Sequence, residues 1–212
     1  MYELQDKVFF VTGAAAGIGA GIVKAFLEKG AKHVAALDVD VRNGKALEQE
    51  LKTKYGDNKV RFHKCDVTTN ELDAVYDNVI NDFGYIDVVV NCAGIMNDRP
   101  NAYLKEIDIN VMEPHSTRSG VRVLTLCFGC TDTSLFSTSK MGAFDKESDE
   151  LLMGSLGVLP MQKIESAVEG LIHAYEQGAS ASTWLVTSDK PAEDITGNVS
   201  KAYEIMSQGV FS

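Results

Sequence analysis

The chain has 212 residues, 45% of them hydrophobic and 24% charged, with 30 acidic side chains against 20 basic ones and a formal net charge of −10. That length bounds it to one domain with a sizeable core. The acidic balance, with no basic tract to offset it, speaks against nucleic acid and anionic membrane surfaces as partners, and no apolar run approaches the roughly 20 residues of a bilayer span.

The first six residues lack the charged and apolar pattern of a signal peptide. Residues 7–12 read as a first strand and 17–29 as its helix. Residues 33–38 are a second strand, followed by a charged amphipathic helix over 42–55. Residues 59–64 make a third strand. The helix over 69–83 has a hydroxyl available as N-cap at Thr68 or Thr69. Residues 87–91 (Asp-Val-Val-Val-Asn) form a continuous apolar strand, as suits a sheet covered on both faces. This βαβαβαβ order predicts an α/β fold with a doubly wound parallel sheet of Rossmann type.

Past Gly94 the pattern thins. Residues 103–112 read as a helix ended by Pro114, and 121–127 as a strand. A polar lobe follows over 134–155, then an amphipathic helix over 164–177 and a last strand over 183–187. Residues 189–212 read as a surface tail with one short helix. The expectation is a single domain over 1–212, with a nucleotide-binding half at 1–112 and a shortened C-terminal half at 120–212. Cys65, Cys92, Cys127 and Cys130 lie in or beside strands and read as buried free thiols of a reducing compartment, so a cytoplasmic location is expected.

The turn between the first strand and its helix is the most informative segment. It reads Thr12-Gly13-Ala14-Ala15-Ala16-Gly17-Ile18-Gly19. Such a turn lets backbone N–H groups at a helix N-terminus approach a pyrophosphate. Gly13 permits the tight turn, and Gly17 and Gly19 remove side chains that would block the phosphate or the helix–sheet contact. Asp38 closes the second strand. A carboxylate there can accept hydrogen bonds from ribose hydroxyls and would repel a 2′-phosphate, which predicts NAD over NADP. The alternative for Asp38 is a cap on the next segment.

These residues, with three further motifs, resemble the short-chain dehydrogenase/reductase family. Asn91-Cys92-Ala93-Gly94 is similar to its Asn-Asn-Ala-Gly motif, Asp66-Val67 to its adenine-contacting pair, and Asn110 to its structural and catalytic asparagine. The tail from Gly120 is similar to the 15-hydroxyprostaglandin and insect-type alcohol dehydrogenases of that family. The resemblance implies a cofactor site of Gly13, Gly17, Ile18, Gly19, Asp38, Asp66, Val67, Asn91, Ala93, Gly94 and Thr131, with Asn110 catalytic. Asp66 is also a candidate helix cap, and Asn91 and Gly94 could simply end a strand. The four histidines are scattered, and no metal-ligand spacing appears.

The family's chemistry needs a Ser and a Tyr-x-x-x-Lys pair on one helix face, the lysine lowering the pKa of a phenol that acts as general base. The single literal match, Tyr55 to Lys59, spans a Gly-Asp-Asn turn. In Phe136-Ser137-Thr138-Ser139-Lys140, which echoes the family's wording, the first residue has no hydroxyl. Asn110 and Gly129 are only 19 positions apart (129 − 110), whereas a strand and crossover helix take about 30 residues by themselves. The chain thus reads as a family member lacking an internal segment, joined between Val111 and Ser116. Phe128 replaces the family's proline, leaving Thr131 and Thr133 as candidate nicotinamide contacts. Cys127-x-x-Cys130 spells a thiol pair without a helix start to lower a thiol pKa.

By resemblance the function is NAD-dependent oxidation of a secondary alcohol or hydroxy-lipid, impaired in this chain. The alternative is a non-catalytic NAD-binding regulator or decoy partner of a full-length isoform. Oligomers weaker than, or altered from, the family's are expected. The strand over 121–127 either slides beside strand four or leaves an apolar edge exposed.

Overall fold

A computed structural model describes residues 2–95, 122–136, 154, 158–206 and 208. The chain divides into two compact units: Leu4–Met112 with Asp132–Val158, and Met1–Glu3 with Glu113–Thr131 and Leu159–Ser212.

The larger unit alternates β1 (Val8–Thr12), α1 (Gly17–Glu28), β2 (His33–Asp38), α2 (Val41–Tyr55), β3 (Val60–Lys64), α3 (Glu71–Phe83) and β4 (Val88–Val90). Its sheet runs β3-β2-β1-β4, with every pair parallel. Alternation along β1 sends consecutive phenylalanines to opposite faces. Phe10 joins Val8, Ala35, Leu37, Cys65, Val75 and Val79 in the core under α3. Phe9 stacks on Phe26 of α1, ring centroids 4.0 Å apart. All three rings are at most 1% exposed, and each such burial is worth roughly 1.5–3 kcal/mol. The sheet is therefore covered on both faces at its central strands β1 and β2, as their continuous apolar runs require.

Helix α3 begins at Glu71, two residues later than expected. Asp66 to Thr69 closes on itself: the Thr68 N–H and hydroxyl both donate to Asp66 Oδ1, and the Thr69 N–H and hydroxyl to the Asp66 carbonyl. Thr69 still serves the helix start, because its hydroxyl accepts the Glu71 N–H at 3.2 Å.

The smaller unit contains β5 (Leu124–Phe128), α4 (Ile164–Gln177), β6 (Ser182–Val186), β7 (Glu193–Asp194) and α5 (Thr196–Met206). Strands β5 and β6 are parallel, and the two-residue β7 adds antiparallel to β6. Of the two alternatives for the strand over 121–127, the described residues show the second: β5 pairs with β6. Among the described residues β4 pairs with β1 alone, and Val89 is 47% exposed. An edge strand has lost one neighbour's cover, so its apolar run is not buried throughout as expected. The thiols are all free, as expected, but only Cys65 is fully buried and Cys127 is exposed, because alternate side chains of β5 point outward. No helix among the described residues is long and apolar enough to cross a membrane.

Two histidines lie in the larger unit. His33 meets the Asn58 carbonyl through Nδ1 at 2.8 Å and packs on Phe83. Burial, then the nearby Arg61 charge, pushes His63 from the usual 6.5 down to about 4. Burial also lowers His33. Between about pH 6.5 and 4 the unfolded chain therefore binds more protons than the folded one, so stability rises with pH across that window and is lost as pH falls through it. The slope is at most about 1.4 kcal/mol per pH unit for each proton. His63→Gln is expected to reduce the drop in urea midpoint between pH 7.5 and pH 4.5. Equal drops in wild type and variant would assign the acid sensitivity to other groups.

Candidate active site

The C-terminal ends of β1, β2, β3 and β4 bring together the sequence-derived residues other than Thr131 and Asn110. Thr12, fully buried at the end of β1, accepts the N–H groups of Cys92 and Ala93 on its hydroxyl, both at 3.1 Å. The glycine turn is thereby fastened to the Asn91–Gly94 motif. Gly13 follows with φ +66°, and a Cβ there would lie 2.7 Å from the Cys92 carbonyl and 2.8 Å from the Ala93 nitrogen. A Cβ on Gly19 would lie 2.1 Å from the Gly13 carbonyl oxygen. The turn and the first helical residues are thus in backbone-to-backbone contact, which only glycine allows.

Helix α1 starts from Ala16, which supplies no side-chain cap, and has no acidic residue in its first turn. The first N–H groups of a helix have no partner within it, and the dipole is positive at that end. Uncapped by side chains and lined by glycine, this end is built to receive an anion. Ile18 is half-buried just inside it.

Asp38 stands at the adjoining strand end. Its Oδ2 accepts the Ala15 N–H and its Oδ1 the Asp40 N–H, each at 2.9 Å. The cap role weighed for Asp38 belongs instead to Asp40, whose carboxylate accepts the Asn43 N–H at 3.0 Å. Asp66 and Val67 are half-buried at the end of β3. Asp66 Oδ1 is engaged by Thr68, and its N–H donates to Glu71 Oε2 at 2.8 Å. Asn91 and Gly94 are exposed at the end of β4, and Ala93 is half-buried. Burial, then the Asp38 charge, pushes the Cys92 thiol up to about 11, so it stays protonated at neutral pH.

The two candidate threonines part company. Thr133 belongs to the larger unit, and its methyl lies 3.3 Å from where a Cβ on Gly17 would stand. Thr131 belongs to the smaller one, 4% exposed, where its hydroxyl donates to the Gly129 carbonyl and accepts from Gln162 Nε2, both at 3.0 Å. Gln162 Nε2 also donates to the Val186 carbonyl at 2.9 Å. Thr131 is thus held by a packing network. Asn110 and the 137–140 stretch lie outside the described residues. Tyr55 ends α2, Gly56 breaks the helix at φ +104°, and Lys59 donates to the Ala31 carbonyl at 3.1 Å. That pair therefore shares no helix face, as its spacing across a turn predicts. No group of three metal-binding side chains occurs among the described residues.

Three of these contacts, including those of the Thr12 hydroxyl, have no role assigned in the sequence. Thr12 signals itself as a polar residue ending an apolar run. The Ala15–Asp38 bond and the Gln162 clamp leave no signal in spacing.

Residues 7–113, half of the chain, match the short chain dehydrogenase family. The chain belongs to this family. The match stops inside the join expected between Val111 and Ser116. Curated relatives include the L-fucose dehydrogenase of Oryctolagus cuniculus, 48% identical over 89 residues covering 42% of this chain and 29% of that protein. The NAD(+)-type 15-hydroxyprostaglandin dehydrogenase of Macaca fascicularis is 37% identical over 111 residues, 52% of this chain and 41% of the relative. The chain spans less than half the length of either. Among solved structures, L-sorbose reductase from Gluconobacter frateurii, complexed with NADPH and L-sorbose, superposes with a TM-score of 0.70 at 17% identity, covering 88% of this chain and 97% of that one. A short-chain dehydrogenase/reductase from Burkholderia phymatum in complex with NAD gives 0.65 at 14% identity, covering 83% and 88%. At such identities these two show the fold.

The family uses a nicotinamide dinucleotide, and the geometry here fits one. A Cβ-free cradle and an uncapped helix start suit a pyrophosphate, and a strand-end carboxylate suits a ribose diol.

Proposed function

We propose that this chain binds NAD in preference to NADP at the ends of β1 to β4. The carrying observation is the Asp38 carboxylate beside the glycine turn. Gly13, Gly17, Ile18 and Gly19 would hold the pyrophosphate, Asp38 the adenosine ribose, and Asp66 and Val67 the adenine. Asn91, Ala93 and Gly94 would floor the site, with Thr133 rather than Thr131 at the turn. Bound NAD would supply a hydride acceptor for a secondary alcohol or hydroxy-lipid. The residues that would take the alcohol's proton, a Ser and a Tyr-x-x-x-Lys pair on one helix, are not found in the sequence, so turnover is impaired. Self-association weaker than, or altered from, the family's and a cytoplasmic location complete this reading. A second reading, a non-catalytic NAD-binding regulator or decoy of a longer isoform, is favoured by the separation of Tyr55 from Lys59 across a helix break.

Calorimetric titration of the purified 212-residue chain with NAD and with NADP tests the binding claim. Saturable binding that prefers NAD is expected. No binding, or a preference for NADP, overturns it.

A further inference from the structure

Asp38 is engaged by more neighbours than a ribose acceptor needs. Its Oδ2 takes the Ala15 N–H from the β1–α1 turn, its Oδ1 takes the Asp40 N–H from the β2–α2 turn, and its carbonyl takes the Cys65 N–H at the end of β3, at 3.0 Å. Ala14 adds a bond to the Leu37 carbonyl, also at 3.0 Å. One residue therefore joins three loops of the nucleotide half.

We propose that Asp38 is a positioning residue that closes the glycine turn through Ala15 before any ligand arrives, so that turn closure and coenzyme choice depend on the same carboxylate. This rests on the NAD reading above for its second half alone. An ionised carboxylate offers about four lone-pair sites. Two are filled by the Ala15 and Asp40 N–H groups, one on each oxygen, and two remain, the number a ribose diol requires. The ribose can then bind without displacing the tie. An asparagine has a single acceptor oxygen and would set its NH₂ against one of the two backbone donors, and an alanine accepts from neither.

A consequence separates this from a plain ribose contact. Removing the carboxylate also removes its repulsion of a 2′-phosphate. If Asp38 did nothing else, its loss would trade NAD affinity for NADP affinity. With the turn released, both affinities fall.

The test begins on ligand-free wild-type protein, by amide hydrogen exchange at Ala15. A hydrogen bond to a charged acceptor should slow exchange there by about tenfold or more. In Asp38→Ala that protection is expected to vanish while exchange in the β1 core stays slow, Asp38→Asn is expected to lose protection at Ala15 or at Asp40, and calorimetry should show NAD and NADP binding to Asp38→Ala both weakened by about tenfold or more. An unprotected Ala15 amide in wild type overturns the proposal, whether or not the variants fold. So does unchanged Ala15 protection in Asp38→Ala, or a rise in that variant's NADP affinity. If wild type binds neither coenzyme but Ala15 loses protection in Asp38→Ala, the tie stands and the NAD reading fails.

Discussion

Gly19→Ala is expected to destabilise the protein by about 2–4 kcal/mol and to abolish dinucleotide binding, although alanine is the best helix former. In an open helical position the change gains roughly 1 kcal/mol. Here the new Cβ would stand 2.1 Å from the Gly13 carbonyl oxygen and 2.8 Å from its carbon. Gly13 has no room to retreat, because its own α-carbon is backed by the Cys92 carbonyl and the Ala93 backbone. Overpacking against side chains already costs about 1–3 kcal/mol, and backbone yields less than side chains do. Gly197→Ala is the internal control. It too sits in a helix, and nothing lies within 4 Å of its added Cβ. Urea midpoints moving in opposite directions for the two variants are the expected result. A neutral Gly19→Ala would mean that the β1–α1 turn is looser than described.

The second large effect concerns turnover. A positioned general base contributes about 10²–10⁴-fold to such reactions. With the single Tyr-x-x-x-Lys spelling, Tyr55 to Lys59, split by the Gly56 helix break, the purified chain is expected to reduce NAD in the presence of secondary alcohols at least about 10²-fold more slowly than a full-length relative. Absorbance of NADH over a panel of alcohols measures it. Robust NADH production by this chain would show that another group takes the proton, and would set aside the regulator or decoy reading.

Much of the larger unit was legible in its sequence because its signals are local. An apolar run, a glycine turn and an amphipathic stretch follow one another, and β2 was placed at its observed bounds with Asp38 at its end. Helix α4 was equally plain, since its apolar spacing needs no partner to be read. The start of α3 was misplaced because Asp66 and Thr68 form a side-chain turn that competes with helix. The neighbour of β5 was left open between two alternatives for a different reason. Pairing depends on contacts far apart in sequence, and an apolar strand fits β4 or β6 equally well by pattern. Thr131 and Thr133, two residues apart, could not be told apart by composition. Only the Gln162 network distinguishes the packed threonine from the one at the turn.

Thr12 has a consequence for the economy of binding. Its one hydroxyl holds the backbone of residues 92 and 93, 80 and 81 positions away in sequence. Both of its lone pairs are thereby spoken for, and the two loops flanking the site behave as one rigid piece. Fixing a loop residue costs roughly 1–2 kcal/mol of conformational entropy. Here that cost is met when the chain folds, so an incoming dinucleotide meets walls already set and keeps more of its interaction energy as affinity.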